Sequence, residues 1–287
     1  MSSTPSANWQ KDIAHVVHPY SNLDAHDRRG PVVITRGDGC YVEDESGKRY
    51  LEGMSGLWCA SLGFSEKRLV DAAMAQFNTL PYYHLFNHRS HPPGIALAEA
   101  LTAIAPQGLN HVLFANSGSE ANDAAVKLVW YYNNQLGRPK KKKIISRING
   151  YHGVTVASGS LTGLVHVHRD FDLPIPQVLH TDCPSHYHFA QPDETEAQFA
   201  ERLANNLEQM ILREGPDTVA AFIAEPINGS GGVIVPPAGY FDRVQAILKK
   251  YDVLFIVDEV ICGFGRTGQM FGSDSFKLKP DMMTVAK

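Results

Sequence analysis

The chain is predicted to form an α/β fold: a mostly parallel, doubly wound sheet in a large domain, with a small α+β domain. Three observations carry this expectation. From residue 111 onward, apolar runs of strand length alternate with helical stretches. The runs Val219 to Ala224 and Val253 to Val257 are apolar throughout, as strands buried on both faces of a parallel sheet must be. Upstream, Gly37-Asp38-Gly39 and Ser46-Gly47-Lys48 punctuate short runs in the manner of antiparallel hairpins.

In chain order, residues 1–30 are polar and spotted with His15, His18, Tyr20 and His26, without a clear period. Val32 to Thr35 and Cys40 to Val42 read as strands, and Arg49-Tyr50-Leu51 completes a small meander. A helix from Glu66 to Thr79 places Leu69, Val70, Ala73 and Phe77 on one stripe, and a second runs from Ile95 to Ile104 after Pro92-Pro93. Strands follow at His111 to Ala115, Lys143 to Ser146, Val178 to His180, Val219 to Ala224 and Val253 to Val257. Helices are expected at Ser119 to Asn133, Glu196 to Arg213 and Gly239 to Lys250. There is no internal repeat. The expected division is 1–59, the N-terminal part of the small domain with its meander, and 60–287, the large domain.

Composition excludes several classes. At 287 residues the chain buries a sizeable core, and 44% apolar against 20% charged residues is not a disordered balance. A net charge of -4 leaves no basic footprint for nucleic acid. The run Lys140 to Lys143 reads as a solvated loop. Cys40, Cys59, Cys183 and Cys262 form no C-x-x-C pair, which suits free thiols in a reducing compartment. Met1 to Asp12 carries no apolar signal core, and no apolar run approaches the roughly 18 residues of a membrane helix. A cytoplasmic location is expected. The histidines His166/His168, His180 and His186/His188 lack the acids and cysteines that would complete a metal site, so none is expected.

Chemistry concentrates where strands end. Asn116-Ser117-Gly118-Ser119-Glu120-Ala121-Asn122 lies between a strand and a helix, offering backbone N–H groups, hydroxyls and the positive end of a helix dipole to a phosphate. The plainer reading is that Ser117 or Ser119 only caps the helix. Gly150-Tyr151-His152-Gly153 follows the next strand, where an aromatic between glycines could lie on a cofactor ring or simply cover a turn. Glu225 and Asp258 each sit at the end of a buried strand, and two carboxylates so placed point to a shared polar pocket. Asn228-Gly229-Ser230-Gly231-Gly232-Val233 is followed by Pro236-Pro237 rather than a helix, and reads as a flexible turn. Lys287 ends a short apolar segment, and alone would be a surface residue. Asp258 asks for a cationic partner. The candidate is the protonated ring nitrogen of pyridoxal 5'-phosphate, with Lys287 holding the cofactor as a Schiff base.

Together, N-S-G-S-E-A-N at 116–122, Y-H-G at 151–153 and E-P at 225–226 resemble the class III aminotransferases. So do D-E-V-x-x-G-F-G-R-T-G at 258–268 and P-D-x-x-T-x-A-K at 280–287, in the same order along the chain. Leu57-Trp58-Cys59 resembles the ω-transaminase branch, whose donors are amines and ω-amino acids. The resemblance implies fold type I of the pyridoxal-phosphate enzymes. It also implies a homodimer, with a tetramer as the alternative, and active sites at the subunit interface. Lys287 matches the lysine that binds the cofactor, and Asp258 the partner of its ring nitrogen. Val260 and Tyr151 match the residues on the two ring faces, with His152 in the same motif. Ser117, Gly118 and Ser119 match the phosphate cup, and Glu225 an active-site glutamate. Tyr20, Trp58 and Phe86 fall where that branch lines its substrate pocket. The implied reaction moves an amino group from an amine or ω-amino acid to a keto acid such as pyruvate, pyridoxamine phosphate being the intermediate form of the cofactor. Decarboxylation, racemisation or aminomutase chemistry on the same lysine, or a non-catalytic fragment, are the alternatives. Family chains run well past the lysine, so the sequence is expected to continue beyond Lys287.

Overall fold

The polar N-terminal stretch turns out to be helical, because capping side chains rather than an apolar period start its helices. Ser6 Oγ accepts from the Trp9 amide at the head of Ala7–His15, and Asn22 Oδ1 accepts from the Ala25 amide at the head of Leu23–Arg29. The computed structural model describes residues 6–287, so the first five residues of the expected polar leader and small domain lie outside the described residues. Two units are distinguished, one running up to Asn87 and the other from His88 to Lys287.

In the first unit, β1 (Ile34–Asp38) pairs antiparallel with β2 (Tyr41–Asp44), which pairs with β3 (Arg49–Leu51). Both leading strands lie slightly C-terminal to their expected positions. The turn is made by Gly39-Cys40, with Gly39 at φ 56°, and not by the whole of Gly37-Asp38-Gly39. Glu66 caps the helix Lys67–Thr79, as the stripe of Leu69, Val70, Ala73 and Phe77 anticipated.

The second unit opens with the helix Pro92–Ile104. It starts earlier than expected because proline suits the first turn, where its missing N–H costs nothing. Its sheet contains β4 (Lys143–Arg147), β5 (Val178–Thr181), β6 (Val219–Ala224), β7 (Leu254–Asp258) and β8 (Met282–Thr284), in the order β5-β4-β6-β7-β8, all parallel. Alternation along the strands splits the core in two. Ile145, Phe222, Ala224, Phe255 and Val257 face the helices Glu196–Glu214 and Tyr240–Lys250. Ile144, Ala221, Ile223 and Ile256 face the helices Gly118–Gln135 and Val156–Leu161. This is the doubly wound α/β arrangement.

Two expectations are corrected. His111 to Ala115 is not a strand. None of the described residues pairs with it, and it lines a cavity of about 600 Å³ together with the segment 281–286. The run Lys140 to Lys143 is not merely solvated. Lys141 is buried, its Nζ donating to the Tyr251 carbonyl, and Lys143 is ion-paired with Glu214 at 2.9 Å. No helix among the described residues is long and apolar enough to cross a membrane.

Phe222 is fully buried at the centre of β6, its ring 6.0 Å from that of Phe255. Phe222→Ala is expected to cost about 3–5 kcal/mol, read as a lower midpoint of chemical denaturation. Tyr187→Ala, at a side chain 91% exposed, is expected to stay within about 0.5 kcal/mol.

Candidate active site

The carboxyl edge of the sheet gathers polar side chains, because the apolar runs that form the strands give way to polar residues there. Asp258 ends β7, Glu225 follows β6, Arg147 ends β4 and Thr284 ends β8. Asp258 is 2% exposed and meets three donors. Asn122 Nδ2 and His152 Nδ1 donate to its Oδ2, both at 2.8 Å, and the Val260 amide donates to its Oδ1 at 3.0 Å. The Lys287 amide in turn donates to the Val260 carbonyl at 3.4 Å, so the backbone of Val260 joins Asp258 to Lys287.

The helix Gly118–Gln135 begins beside this carboxylate. Ser117 is its N-cap, the hydroxyl accepting from the Glu120 amide at 3.1 Å, while the Gly118 and Ser119 amides fall in the first turn, where a helix supplies no acceptor. The capping and phosphate-cup readings are therefore compatible. Glycine at 118 permits a close approach: a Cβ there would stand 3.0 Å from both γ-carbons of Val260, which would have to give way by a few tenths of an ångström. Gly153, at φ 137°, brings the Tyr151-His152-Gly153 turn against the same loop, since a Cβ on it would lie 2.5 Å from Ser119 Oγ. The Val154 amide donates to that hydroxyl at 3.2 Å.

Glu225 links two loops. Its Oε1 accepts from the Tyr151 amide at 2.8 Å and its Oε2 from the Gly229 amide at 2.9 Å. Arg147, 1% exposed, donates from one terminal nitrogen to the Glu225 carbonyl and to Asn228 Oδ1, both at 2.5 Å. The turn 228–232 is thus pinned to the site rather than loose. Ser117, Gly118, Ser119, Tyr151, His152, Glu225, Asp258, Val260 and Lys287 all belong to this one assembly.

A family model described as Aminotransferase class-III matches residues 23–287. The chain belongs to the class-III aminotransferases. These are pyridoxal-phosphate enzymes of fold type I. Curated relatives include the vanillin aminotransferase of Capsicum chinense, 60% identical over 283 residues, which cover 98% of this chain and 58% of that protein. They also include the chloroplastic gamma aminobutyrate transaminase 3 of Solanum lycopersicum, 60% identical over 258 residues, 90% of this chain and 50% of the relative. Among solved structures, the omega transaminase of Pseudomonas jessenii in complex with PMP aligns at a TM-score of 0.96 and 59% identity, over 100% of this chain and 62% of that one. The chain therefore spans between half and about three-fifths of the length of these relatives.

Three expected pocket residues lie in the first unit. Tyr20 and Phe86 are 64% and 76% exposed, and Trp58 is half-buried. Trp58 ends a left-handed helical turn, Ser55–Trp58, with φ between 50° and 65° at all four residues. Three of them are not glycine, at a cost of roughly 1–2 kcal/mol each. Glu52 holds the turn, its carboxylate accepting from the Met54 amide at 3.1 Å and the Gly56 amide at 2.6 Å. Backbone strain of this kind is retained mainly at functional sites.

Sequence reasoning missed Asn122, Arg147 and Thr284. For Asn122 a signal existed: it falls on the stripe with Ala125, Val126 and Val129, a polar residue at a core-facing position. It also missed the trio in which Asp12 Oδ1 meets His18 Nε2 at 2.9 Å and His26 Nε2 at 3.0 Å.

Burial pushes the Glu225 carboxyl up from the usual 4.5 to about 7, against the opposing pull of His152 and the two amides. The folded chain then holds this proton more tightly than the unfolded chain. Its contribution to stability is complete below pH 4.5 and is lost as pH rises through 7, on the order of 3 kcal/mol in all. Glu225→Gln is expected to flatten that fall, checked by denaturation midpoints of both proteins across this window.

Proposed function

We propose that the enzyme to which this chain belongs transfers an amino group from a primary amine or ω-amino acid to a keto acid such as pyruvate, with this chain holding pyridoxal phosphate. One observation carries the reading: Asp258 and Lys287 are joined through Val260 beside the open N-terminus of the helix Gly118–Gln135. The residues fit the group. A phosphate matches the first-turn amides of Gly118 and Ser119. A ring N–H matches a buried carboxylate that still has acceptor capacity. Gly118 and Gly153 let the head of the helix approach Val260 and the Tyr151 turn closely, where a flat ring would be covered on both faces.

When bound, pyridoxal phosphate supplies a carbonyl that condenses with amines and a ring that accepts electrons. In this reading Ser117, Gly118 and Ser119 hold the phosphate, and Val260 and Tyr151 cover the ring faces. His152 and Asp258 orient the ring, and Asp258 keeps its nitrogen protonated. Glu225 fixes the Tyr151 turn by accepting from its amide. Lys287 would hold the cofactor, and its Nζ would take the proton from the substrate carbon that bears nitrogen. Tyr20, Trp58 and Phe86 line the substrate side. Support comes from relatives named vanillin aminotransferase, gamma aminobutyrate transaminase and omega transaminase: gamma aminobutyrate is an ω-amino acid and so a donor, whereas vanillin is an aldehyde, the class that accepts an amino group.

A homodimer belongs to the proposal, since Leu113, Phe114 and Tyr131 leave apolar surface of the kind a subunit covers. The division into a small-domain part, 1–59, and a cofactor-binding large domain, 60–287, belongs to it too. So does a cytoplasmic location, which suits four free thiols, two of them exposed.

Lys287→Ala is expected to prevent covalent trapping of pyridoxal phosphate on the chain by borohydride and to lower alanine formation from pyruvate and a simple amine by at least roughly 10²-fold. Transfer at the original rate rejects the reading. Trp58→Leu is expected to raise kcat/KM for bulky ketones by roughly tenfold relative to small ones. A related thermostable omega transaminase has been engineered for bulky amines. Unchanged selectivity across a size series of ketones removes Trp58 from the pocket.

A further inference from the structure

Asn122 is fully buried, and its whole side chain is engaged. Its Nδ2 donates to the His152 carbonyl at 2.7 Å and to Asp258 Oδ2 at 2.8 Å, while Thr284 Oγ1 donates to its Oδ1 at 2.9 Å. The flipped amide does not satisfy this set, because Oδ1 would then face two acceptors, the His152 carbonyl and Asp258 Oδ2. Thr284 is fixed in turn by the strand register, which sets it opposite Asp258.

A carboxylate offers about four lone-pair positions, two on each oxygen. On Asp258, Asn122 and His152 occupy both positions of Oδ2, and the Val260 amide occupies one of Oδ1. One position is left, on Oδ1. Asn122 is neutral, so it satisfies Asp258 without cancelling the charge that a cationic partner needs. An aspartate at 122 would set two carboxylates together and make them share a proton. A leucine would leave Oδ2 one donor short in a buried site.

We propose that Asn122, locked by Thr284, is a positioning residue that fixes the Asp258 carboxylate and directs a ring N–H to its Oδ1. This rests on the pyridoxal-phosphate reading above and adds to it the residues that aim the carboxylate. Val260 carries the same oxygen's other hydrogen bond and, through its carbonyl, the backbone of Lys287. The direction set by Asn122 is thereby defined relative to the lysine.

The test uses full-length enzyme saturated with pyridoxal phosphate carrying nitrogen-15 in the ring, as wild type, Asn122→Asp, Asn122→Leu, Thr284→Val and Thr284→Ser. The ring-nitrogen resonance is followed from about pH 6 to about pH 9, with kcat and KM measured alongside. Wild type is expected to keep the ring nitrogen protonated throughout. Asn122→Asp and Thr284→Val are expected to lose that proton within the range, with kcat down roughly ten- to a hundredfold and KM little changed. Thr284→Ser is expected to restore the wild-type profile. Wild type that binds no pyridoxal phosphate overturns the functional reading and this inference with it. Wild type with a protonated ring, beside an Asn122→Asp enzyme with the same profile and kcat, overturns this inference alone. Should Asn122→Leu fail to fold, Asn122→Asp and Thr284→Val, both close to the native side chains in size, decide.

Discussion

The carboxylate of Asp258 is the constraint around which the second unit is arranged. Taking an ionised carboxylate out of water costs several kcal/mol unless donors replace the lost solvent. Here the donors come from distant parts of the chain: Asn122 from a helix, His152 from a turn after β4, and the Val260 amide from the loop after β7. Each must arrive correctly placed for the others to be satisfied. The β7–β8 register adds Thr284 to the same set, and with it the segment that ends in Lys287. A buried carboxylate thus draws several elements into one geometry and keeps one acceptor position open on Oδ1.

Close approach of backbones is the second theme. Gly118 lies close against Val260, and Gly153 lies against Ser119 and Ser158 at separations that a Cβ could share only if its neighbours shifted. These contacts bring the head of a helix, a turn and a strand end within reach of one small molecule. Glu225 and Arg147 tie the remaining loops to that arrangement. In the first unit a different device operates. A left-handed turn ending at Trp58 is stabilised by the Glu52 carboxylate, so backbone strain is offset by two hydrogen bonds to otherwise unpaired amides.

Membership of the class-III aminotransferases agrees with this site. The relatives share a scaffold in which cofactor chemistry is common and substrate choice is local. The residues that would hold the cofactor lie in one compact region of the second unit. Those expected to choose the substrate, Tyr20, Trp58 and Phe86, sit on short or irregular segments of the first. Such segments change with little cost to the core, whereas Asp258 and Asn122 cannot change without leaving a buried group unpaired.

The alternation of strands and helices, the fully apolar β6 and β7, the capped phosphate-type loop and the carboxylates at strand ends were all legible from the chain itself. They depend on local period and on capping chemistry, which neighbouring residues set. The N-terminal helices were not legible because they rest on single caps rather than on a stripe. His111 to Ala115 was read as a strand because its residues suit one, yet a strand exists only with a partner to pair with. Likewise Lys141 looked solvated until the fold brought the Tyr251 carbonyl to it. The sequence by itself determined the family, the fold class and the residue types at the site. Only the tertiary structure decided that Asn122 and Thr284 complete the shell of Asp258, because residues so far apart in the chain meet only when strand register and helix packing bring them together.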